Sequence, residues 1–342
     1  MTLTNNQQRP TPRKRRQSMN PSQFGFRNPV SLMAAAALAV CSVNALAQSS
    51  PDELLDQMAH VVSVLDYEGT VIRQQNGSTE ALKIVHKIID GVIHEKLVTQ
   101  EGNGLEIIRV GNEVHCILPD KQTVFIEDWN NQSTLFSALP NSEIRYGADY
   151  DVSIVSEDRV AGRRAILLAI RPHDEFRYGH RIWLDEETSF PLKTEMISVT
   201  GELIEQVKFA DIKLANGISS SALDPTMSLD NFSWYKQSVR FESDEVESDW
   251  ACTDLPKGFK TISSRTEQLP GADAPVTHIV FSDGMASVSV FVAEKNATRF
   301  AEKSSVGASS AYSLQQDEFQ ITAVGEVPPA TVRRIATSMH RQ

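Results

Sequence analysis

The 342-residue sequence lacks the short motifs that mark the common enzyme classes. It contains no G-x-S-x-G, H-E-x-x-H, C-x-x-C, Walker A or G-x-G-x-x-G pattern. His94 is followed by a glutamate but by no second histidine at the zinc-binding spacing. His173 and His180 lie near Asp185, but seven positions along a strand put the two imidazoles on opposite faces unless a bend intervenes. We therefore expect no enzyme activity, no cofactor and no bound metal.

Basic residues are scarce relative to acidic ones. The sequence has 33 Lys+Arg against 44 Asp+Glu, a net charge of −11. Six of the basic residues and none of the acidic ones fall in residues 1–47, so the remaining chain has 27 against 44 and a net charge of −17. A body this acidic has no general affinity for nucleic acid phosphates, because it has few cations with which to displace counterions. The composition therefore excludes nucleic acid as a partner.

Long apolar runs are also missing, apart from one short run near the start. Residues 30–40 (VSLMAAAALAV) follow the basic stretch, and eleven residues are too few to cross a bilayer but typical of a signal peptide. Ala45 and Ala47 suit cleavage after residue 47, and Met19 is a second candidate start. Cys41 raises the alternative of a lipoprotein, although Val40 is large for that cleavage site. We expect residues 1–47 to be a signal peptide and the exported product to be soluble.

Cysteines are too few for a disulfide framework. Cleavage after residue 47 removes Cys41 and leaves Cys116 and Cys252. In an exported protein this pair can form one disulfide, which would join two halves of the chain. Two buried free thiols are the alternative, and the sequence leaves both open.

The remaining pattern predicts one helix followed by many strands. Residues 51–65 have helical spacing, with Ser50 and Glu53 forming a capping box and Pro51 at the first helical position. Alternating apolar residues and turn signals then predict ten antiparallel strands between positions 67 and 214. The predicted strands are 67–73, 81–89, 92–98, 105–109, 114–118, 123–127, 166–170, 177–184, 192–199 and 203–214, with a further one beginning near 150 and a helical turn at 135–139. This succession predicts a large curved antiparallel sheet with one face covered.

A linker with many acidic residues separates this unit from a smaller one. We expect an N-terminal domain at 50–236, an acidic linker at 237–249 and a C-terminal α+β domain at 250–342. In the last domain, strands are predicted at 278–281, 286–292 and 320–324, and a closing helix at 329–339. The Ser/Gly-rich stretch at 304–310 is predicted to be a mobile loop.

Two clusters of basic residues stand out against the acidic background. Residues 159–164 (RVAGRR) form the first, and residues 171–181 (RPHDEFRYGHR) mix basic and aromatic side chains in the second. Guanidinium groups match phosphate and carboxylate geometry, so both clusters are candidates for binding an anion. The alternative is two polar loops whose arginines are solvated or paired with carboxylates.

Several blocks of the sequence resemble the MucB/RseB family, periplasmic negative regulators of sigma-E. In the first domain these blocks are 114–120 (VHCILPD), 158–163 (DRVAGR), 172–179 (PHDEFRYG) and 183–185 (WLD). In the second they are 255–259 (LPKGF), 282–291 (SDGMASVSVF) and 324–329 (VGEVPP). The resemblance covers about residues 51–341, and the blocks occur in the family's order.

The resemblance implies a mainly β, α+β fold. The N-terminal domain would be similar to the lipoprotein carriers LolA and LolB, a half-open antiparallel β-barrel with helices in its concave face, followed by a smaller α+β domain. It also implies a periplasmic protein that binds the periplasmic region of a membrane anti-sigma factor of the RseA or MucA type and shields it from site-1 proteolysis. Lipopolysaccharide or mislocalised lipoprotein would release it. Members of the family tend to self-associate, which leaves a homodimer open.

The basic clusters supply candidate site residues for this function. We expect Arg163, Arg164, Arg177 and Arg181 to contribute to a partner or lipid site, with Tyr178 packing beside them. A periplasmic lipid or lipoprotein carrier is the alternative function, because a shared fold does not fix function.

Overall fold

The computed structural model describes residues 49–128, 139, 147–214, 217–236, 248–267, 274–294 and 303–342. The predicted signal peptide lies outside these residues. So do nearly all of the helical turn predicted at 135–139 and most of the linker predicted at 237–249.

The first helix, α1 (Pro51–Val64), begins at the predicted capping box. The Glu53 backbone N–H donates to Ser50 Oγ at 3.2 Å, and the Ser50 N–H donates to Glu53 Oε2 at 2.9 Å. Leu54, Leu55 and Met58 lie on its buried face, together with Val62. The predicted N-terminus and apolar stripe of this helix are confirmed.

Within the described residues, twelve strands form one sheet. They are β1 (Tyr67–Gln75), β2 (Ser78–Ile89), β3 (Val92–Thr99), β4 (Glu106–Val110), β5 (Glu113–Leu118), β6 (Thr123–Asp128), β7 (Tyr150–Val160), β8 (Arg163–Pro172), β9 (Gly179–Asp185), β10 (Pro191–Ile197), β11 (Leu203–Leu214) and β12 (Ser233–Lys236). Their order is β12-β6-β5-β4-β3-β2-β1-β11-β10-β9-β8-β7. β12 pairs parallel with β6, and the other described neighbours pair antiparallel.

One face of the sheet packs against α1. Tyr67, Phe190 and Phe209 meet at centroid distances of 4.8–6.1 Å, and they share one core with the buried residues of α1. Among the described strands, the edge strands β7 and β12 do not pair with each other, so the sheet stays open. The predicted half-open, mainly β architecture is confirmed.

The second unit is the smaller α+β domain. Its described strands are β13 (Trp250–Cys252), β14 (Lys260–Glu267), β15 (Val276–Ser282), β16 (Ser287–Glu294), β17 (Lys303–Val306), β18 (Ser309–Gln316), β19 (Phe319–Gly325) and β20 (Met339–Arg341). Six of these described strands form a sheet in the order β14-β15-β16-β19-β18-β17, and β13 pairs with β20. Helix α2 (Pro329–Thr337) buries Val332, Ile335 and Ala336 in the same core as the apolar residues of the six-stranded sheet.

Two sequence predictions were wrong, one in this domain and one at the start of β9 in the first domain. The stretch predicted as a mobile loop, 304–310, lies in the β17–β18 hairpin, where Ala308 is fully buried. A hydrophobicity pattern does not detect this hairpin, because its strands are rich in serine and glycine and are paired by backbone hydrogen bonds. The strand predicted from Arg177 begins instead at Gly179, since the Phe176 N–H donates to Asp174 Oδ1 at 3.0 Å and bends the chain.

Candidate functional site

Arg177 is the centre of a polar contact between the two domains. Its side chain is fully buried, although it lies in a bend between β8 and β9. Nε and Nη2 donate to the two carboxylate oxygens of Asp174 at 3.1 and 2.9 Å. Nη1 donates to Asp283 Oδ2 of the second domain at 2.5 Å, and Nη2 also donates to the Lys257 carbonyl. One guanidinium therefore joins a carboxylate of its own domain to two groups of the other.

Asp283 receives further hydrogen bonds on both carboxylate oxygens. The Tyr150 hydroxyl, from the start of β7, donates to Asp283 Oδ2 at 2.7 Å. The backbone N–H groups of Met285 and Ala286 donate to Oδ1 at 3.0 and 2.8 Å. Burial raises the pKa of Tyr150, and the negative charge of Asp283 raises it further. The phenol therefore stays a neutral donor.

The charge of Arg177 is retained in this buried position. Burial by itself lowers the pKa of a guanidinium, but the hydrogen bonds to Asp174 and the negative charges of Asp174 and Asp283 raise the pKa of Arg177 above its usual value. The rings of Tyr150 and Phe259 each lie 5.2 Å from its Cζ, so aromatic faces complete the enclosure. A buried arginine of this kind is fixed in place, because every direction of its fork meets a partner.

Further contacts extend from the same bend to the second domain. The Thr331 hydroxyl of α2 donates to the Phe176 carbonyl at 2.6 Å, and the Arg334 guanidinium lies 4.5 Å from the Phe176 ring centroid. Tyr178 packs with Met196 and with Ala308 of the second domain. We call this set the joint: Tyr150, residues 172–178 and Met196 in the first domain, with Lys257, Phe259, Asp283, Ala308, Thr331 and Arg334 in the second.

Arg163 and Arg164 lie apart from the joint, at the turn between β7 and β8. Arg163 donates to both oxygens of Asp185, at 2.7 and 2.9 Å, and to Glu187 at 3.1 Å. Arg164 lies 2.7 Å from Glu186 Oε2. These arginines form the carboxylate pairs that were the alternative interpretation of this cluster, and their positive charge is already balanced.

Arg181 lies at a third place, in a groove on the face of β8–β10. Its Nη1 lies 3.4 Å from Glu195 Oε2 on β10, and half of its side chain is exposed. The groove has a volume of about 400 Å³ and includes Arg171, Gly179 and Val199.

The five predicted site residues thus fall at three places, of which the joint and the groove adjoin at Asp174. Arg177 and Tyr178 belong to the joint, Arg163 and Arg164 to a surface cluster of ion pairs, and Arg181 to the groove. Sequence reasoning missed Asp283 as a partner of Arg177, because 106 positions separate the two and nothing local links them. The spacing of Asp174 and Arg177, three positions apart in a block rich in polar residues, was the available signal.

The two cysteines of the described chain are both free thiols. The structure has no bond between Cys116 and Cys252, and each thiol is half-buried within its own domain. Burial raises the pKa of Cys116 to about 11, aided by the charge of Glu127. Neither a helix able to cross a membrane nor a metal-binding group of three or more His, Cys, Asp or Glu occurs among the described residues.

Comparison with known families accounts for both domains. Residues 50–227 match the MucB/RseB N-terminal domain, and residues 244–340 match the MucB/RseB C-terminal domain. The chain belongs to the MucB/RseB family. The predicted membership is confirmed, and the blocks 172–179, 255–259 and 282–291, which carried the resemblance, all contribute to the joint.

Named relatives of the family are regulatory proteins. The chain is 28% identical to the sigma factor AlgU regulatory protein MucB of Pseudomonas aeruginosa over 304 residues, covering 87% of this chain and 93% of that protein. It is 27% identical to the sigma-E factor regulatory protein RseB of Salmonella typhimurium over 306 residues, with the same coverage. A solved complex of Pseudomonas aeruginosa MucA/MucB is similar with a TM-score of 0.67 and 26% identity, covering 86% of this chain and 99% of that one. The prediction that the chain is not an enzyme is confirmed by these relatives.

Proposed function

We propose that this chain is a periplasmic regulator of a sigma-E type stress response that binds the periplasmic region of a membrane anti-sigma factor. The observation that carries the proposal is the solved MucA/MucB complex, which is similar to this chain across both domains. The names of the curated relatives, regulators of AlgU and of sigma-E, support the same role.

In this proposal, binding shields the anti-sigma factor from the site-1 protease, and lipopolysaccharide or mislocalised lipoprotein releases it. Release by a lipid is a population shift: the lipid must bind the free regulator more tightly than the complex, and only that difference drives dissociation. The face of the open sheet that packs against α1 offers apolar side chains to acyl groups. The strand register places Phe125 on β6 and Tyr235 on β12 on that face, where they stack with 38% and 55% of their surfaces exposed.

The predicted site residues take different parts in the proposal. Arg181 is placed to contact a partner directly, because half of its side chain is exposed. Arg177 and Tyr178 act through the joint, by fixing how the two domains present their surfaces. Arg163 and Arg164 contribute to partner binding if a ligand carboxylate or phosphate exchanges with Asp185, Glu186 or Glu187.

The experiment is a co-purification from solubilised membranes with the chain from residue 48 onward as bait. Recovery of an anti-sigma factor, together with slower cleavage of that factor by the site-1 protease when the bait is added, supports the regulator. Recovery of lipoproteins without an anti-sigma factor contradicts it and supports the carrier. Sedimentation of the same material measures whether the regulator is a homodimer.

A further inference from the structure

The groove beside the joint contains an arginine that has no partner among the described residues. Arg171, at the end of β8, lines the groove and is exposed. Asp151 lies opposite Arg171 in the strand register, but its carboxylate lies 2.9 Å from His173 Nε2 instead. Among the residues that the structure describes, Arg171 and Arg333 are the two arginines whose guanidinium makes no hydrogen bond or ion pair.

The floor of the groove is made of small and aliphatic residues. Gly179 lies opposite Ile197 on β10, and Ala169 lies opposite Arg181 on β9. Gly179 has no side chain to fill the floor, and Val199 at the rim is 56% exposed. An aliphatic side chain fits over this floor while an acidic group reaches Arg171.

The groove shares a wall with the joint. Asp174 lines the groove, and its carboxylate holds Nε and Nη2 of Arg177 on the buried side. Glu175 lines the same wall. Since Asp174 contributes to both, a chain bound in the groove contacts the element that sets the domain arrangement.

We propose that this groove docks an extended segment of the anti-sigma factor, with an acidic side chain on Arg171 and an aliphatic side chain over Ala169 and Gly179. The inference rests on the proposed function and names where the partner binds. An acidic segment is the matching occupant because Arg171 is an exposed guanidinium on a body with a net charge of −17 after residue 47, and every other described arginine except Arg333 already makes a hydrogen bond or ion pair. A charge-assisted hydrogen bond to a guanidinium then fixes both position and orientation.

The test measures binding of a fluorescent peptide that spans the anti-sigma factor's periplasmic segment, by anisotropy, to the chain from residue 48 onward. Arg171→Glu is compared with Arg333→Glu, which makes the same charge change on α2 at the other arginine that has no partner among the described residues. We expect Arg171→Glu to weaken binding about tenfold or more, equivalent to ~1.4 kcal/mol, and Arg333→Glu to change it less than about twofold. Gly179→Val, which fills the floor, is expected to weaken binding without a change of charge, in protein whose circular dichroism matches that of the parent.

Equal losses for Arg171→Glu and Arg333→Glu would show a general charge effect and overturn the inference. Parent-like binding by Arg171→Glu also overturns it. If lipopolysaccharide vesicles bind the parent and lose affinity with Arg171→Glu while the peptide does not, the groove is a lipid site and the inference is wrong. A parent protein that does not bind the peptide contradicts the proposed function itself, and that outcome is distinct from the others.

Discussion

Replacing Arg177 by methionine is expected to destabilise the protein strongly, because the change leaves two carboxylates at a buried interface. Methionine keeps much of the volume and removes the charge. Asp283 keeps three donors, from the Tyr150 hydroxyl and two backbone N–H groups, but loses its counter-charge. Asp174 is 26% exposed, so water partly replaces its lost bonds.

The expected loss follows from how completely the pair is enclosed. The exposed fractions of the Arg177 and Asp283 side chains are 0% and 1%. Removing one partner of such a pair costs about 3–5 kcal/mol, because the remaining charge stays buried without compensation. A domain of this size is stable by roughly 5–15 kcal/mol, so the variant is expected to fold with a lowered urea midpoint.

Urea unfolding of a double-mutant cycle measures the coupling. The cycle uses Arg177→Met, Asp283→Asn and the double variant, with tryptophan fluorescence and circular dichroism recorded at pH 7. We expect the two changes to couple by about 2–5 kcal/mol. Arg164→Met is the control, because Arg164 is 63% exposed, and its surface pairs are worth at most about 1 kcal/mol.

A coupling energy below about 0.5 kcal/mol would refute this reasoning. It would mean that the two side chains do not meet in solution, and that the domains are held together by other contacts. A loss for Arg177→Met no larger than that for Arg164→Met would lead to the same conclusion.

Three further outcomes are expected. Burial lowers the pKa of His180 to about 4, so the folded chain resists a proton that the unfolded chain accepts near pH 6.5. The free energy of unfolding should therefore fall between about pH 6.5 and 4, and less so in His180→Asn, as measured by urea midpoints at pH 4.5 and 7.5; identical pH dependence in both proteins would contradict this. Burial favours the protonated form of Asp185, but the hydrogen bonds from Arg163 and Thr188 outweigh burial and lower the pKa of that carboxyl. The ionised carboxyl therefore stabilises the folded chain at neutral pH, and this stabilisation is lost as the pH falls through the lowered pKa. Arg163→Met should reduce that loss, measured by urea midpoints at about pH 5 and about pH 2.5, and should cost ~1–3 kcal/mol at pH 7. Ellman's reagent should find two thiols in urea-unfolded, unreduced protein from residue 48 onward, and a value near zero would indicate a bridge between Cys116 and Cys252.

The strands were predictable wherever burial alternates along the chain. Leu82, Ile84 and His86 alternate in the sequence and all face the core on β2. The sequence cannot show what a charged residue meets across the fold, because arginine is exposed in most proteins and its burial depends on distant partners. The sequence pattern therefore groups Arg177 with Arg181, although Arg177 is enclosed at the joint and Arg181 lies in the groove.

The same limit explains why the sequence alone does not identify Arg171 as a binding residue. In the sequence it is one basic residue of the cluster 171–181, and within the described part of the chain Asp151, which lies opposite it, pairs with His173 instead. Composition counts the charges, and only the fold shows which of them remain unpaired. The acidic background indicates that the arginines are candidate binding residues, but it does not distinguish the structural arginines from those available to a ligand.

We infer that the buried pair at the joint fixes the arrangement of the domains more than it adds to their stability. An apolar contact such as Tyr178 with Ala308 tolerates a small slide, because dispersion changes gradually with distance. The fork of Arg177 does not, since its bonds to Asp174 and Asp283 require both carboxylates in their places at once. Buried ion pairs are weak sources of net stability, and fixing one arrangement is their better-supported use.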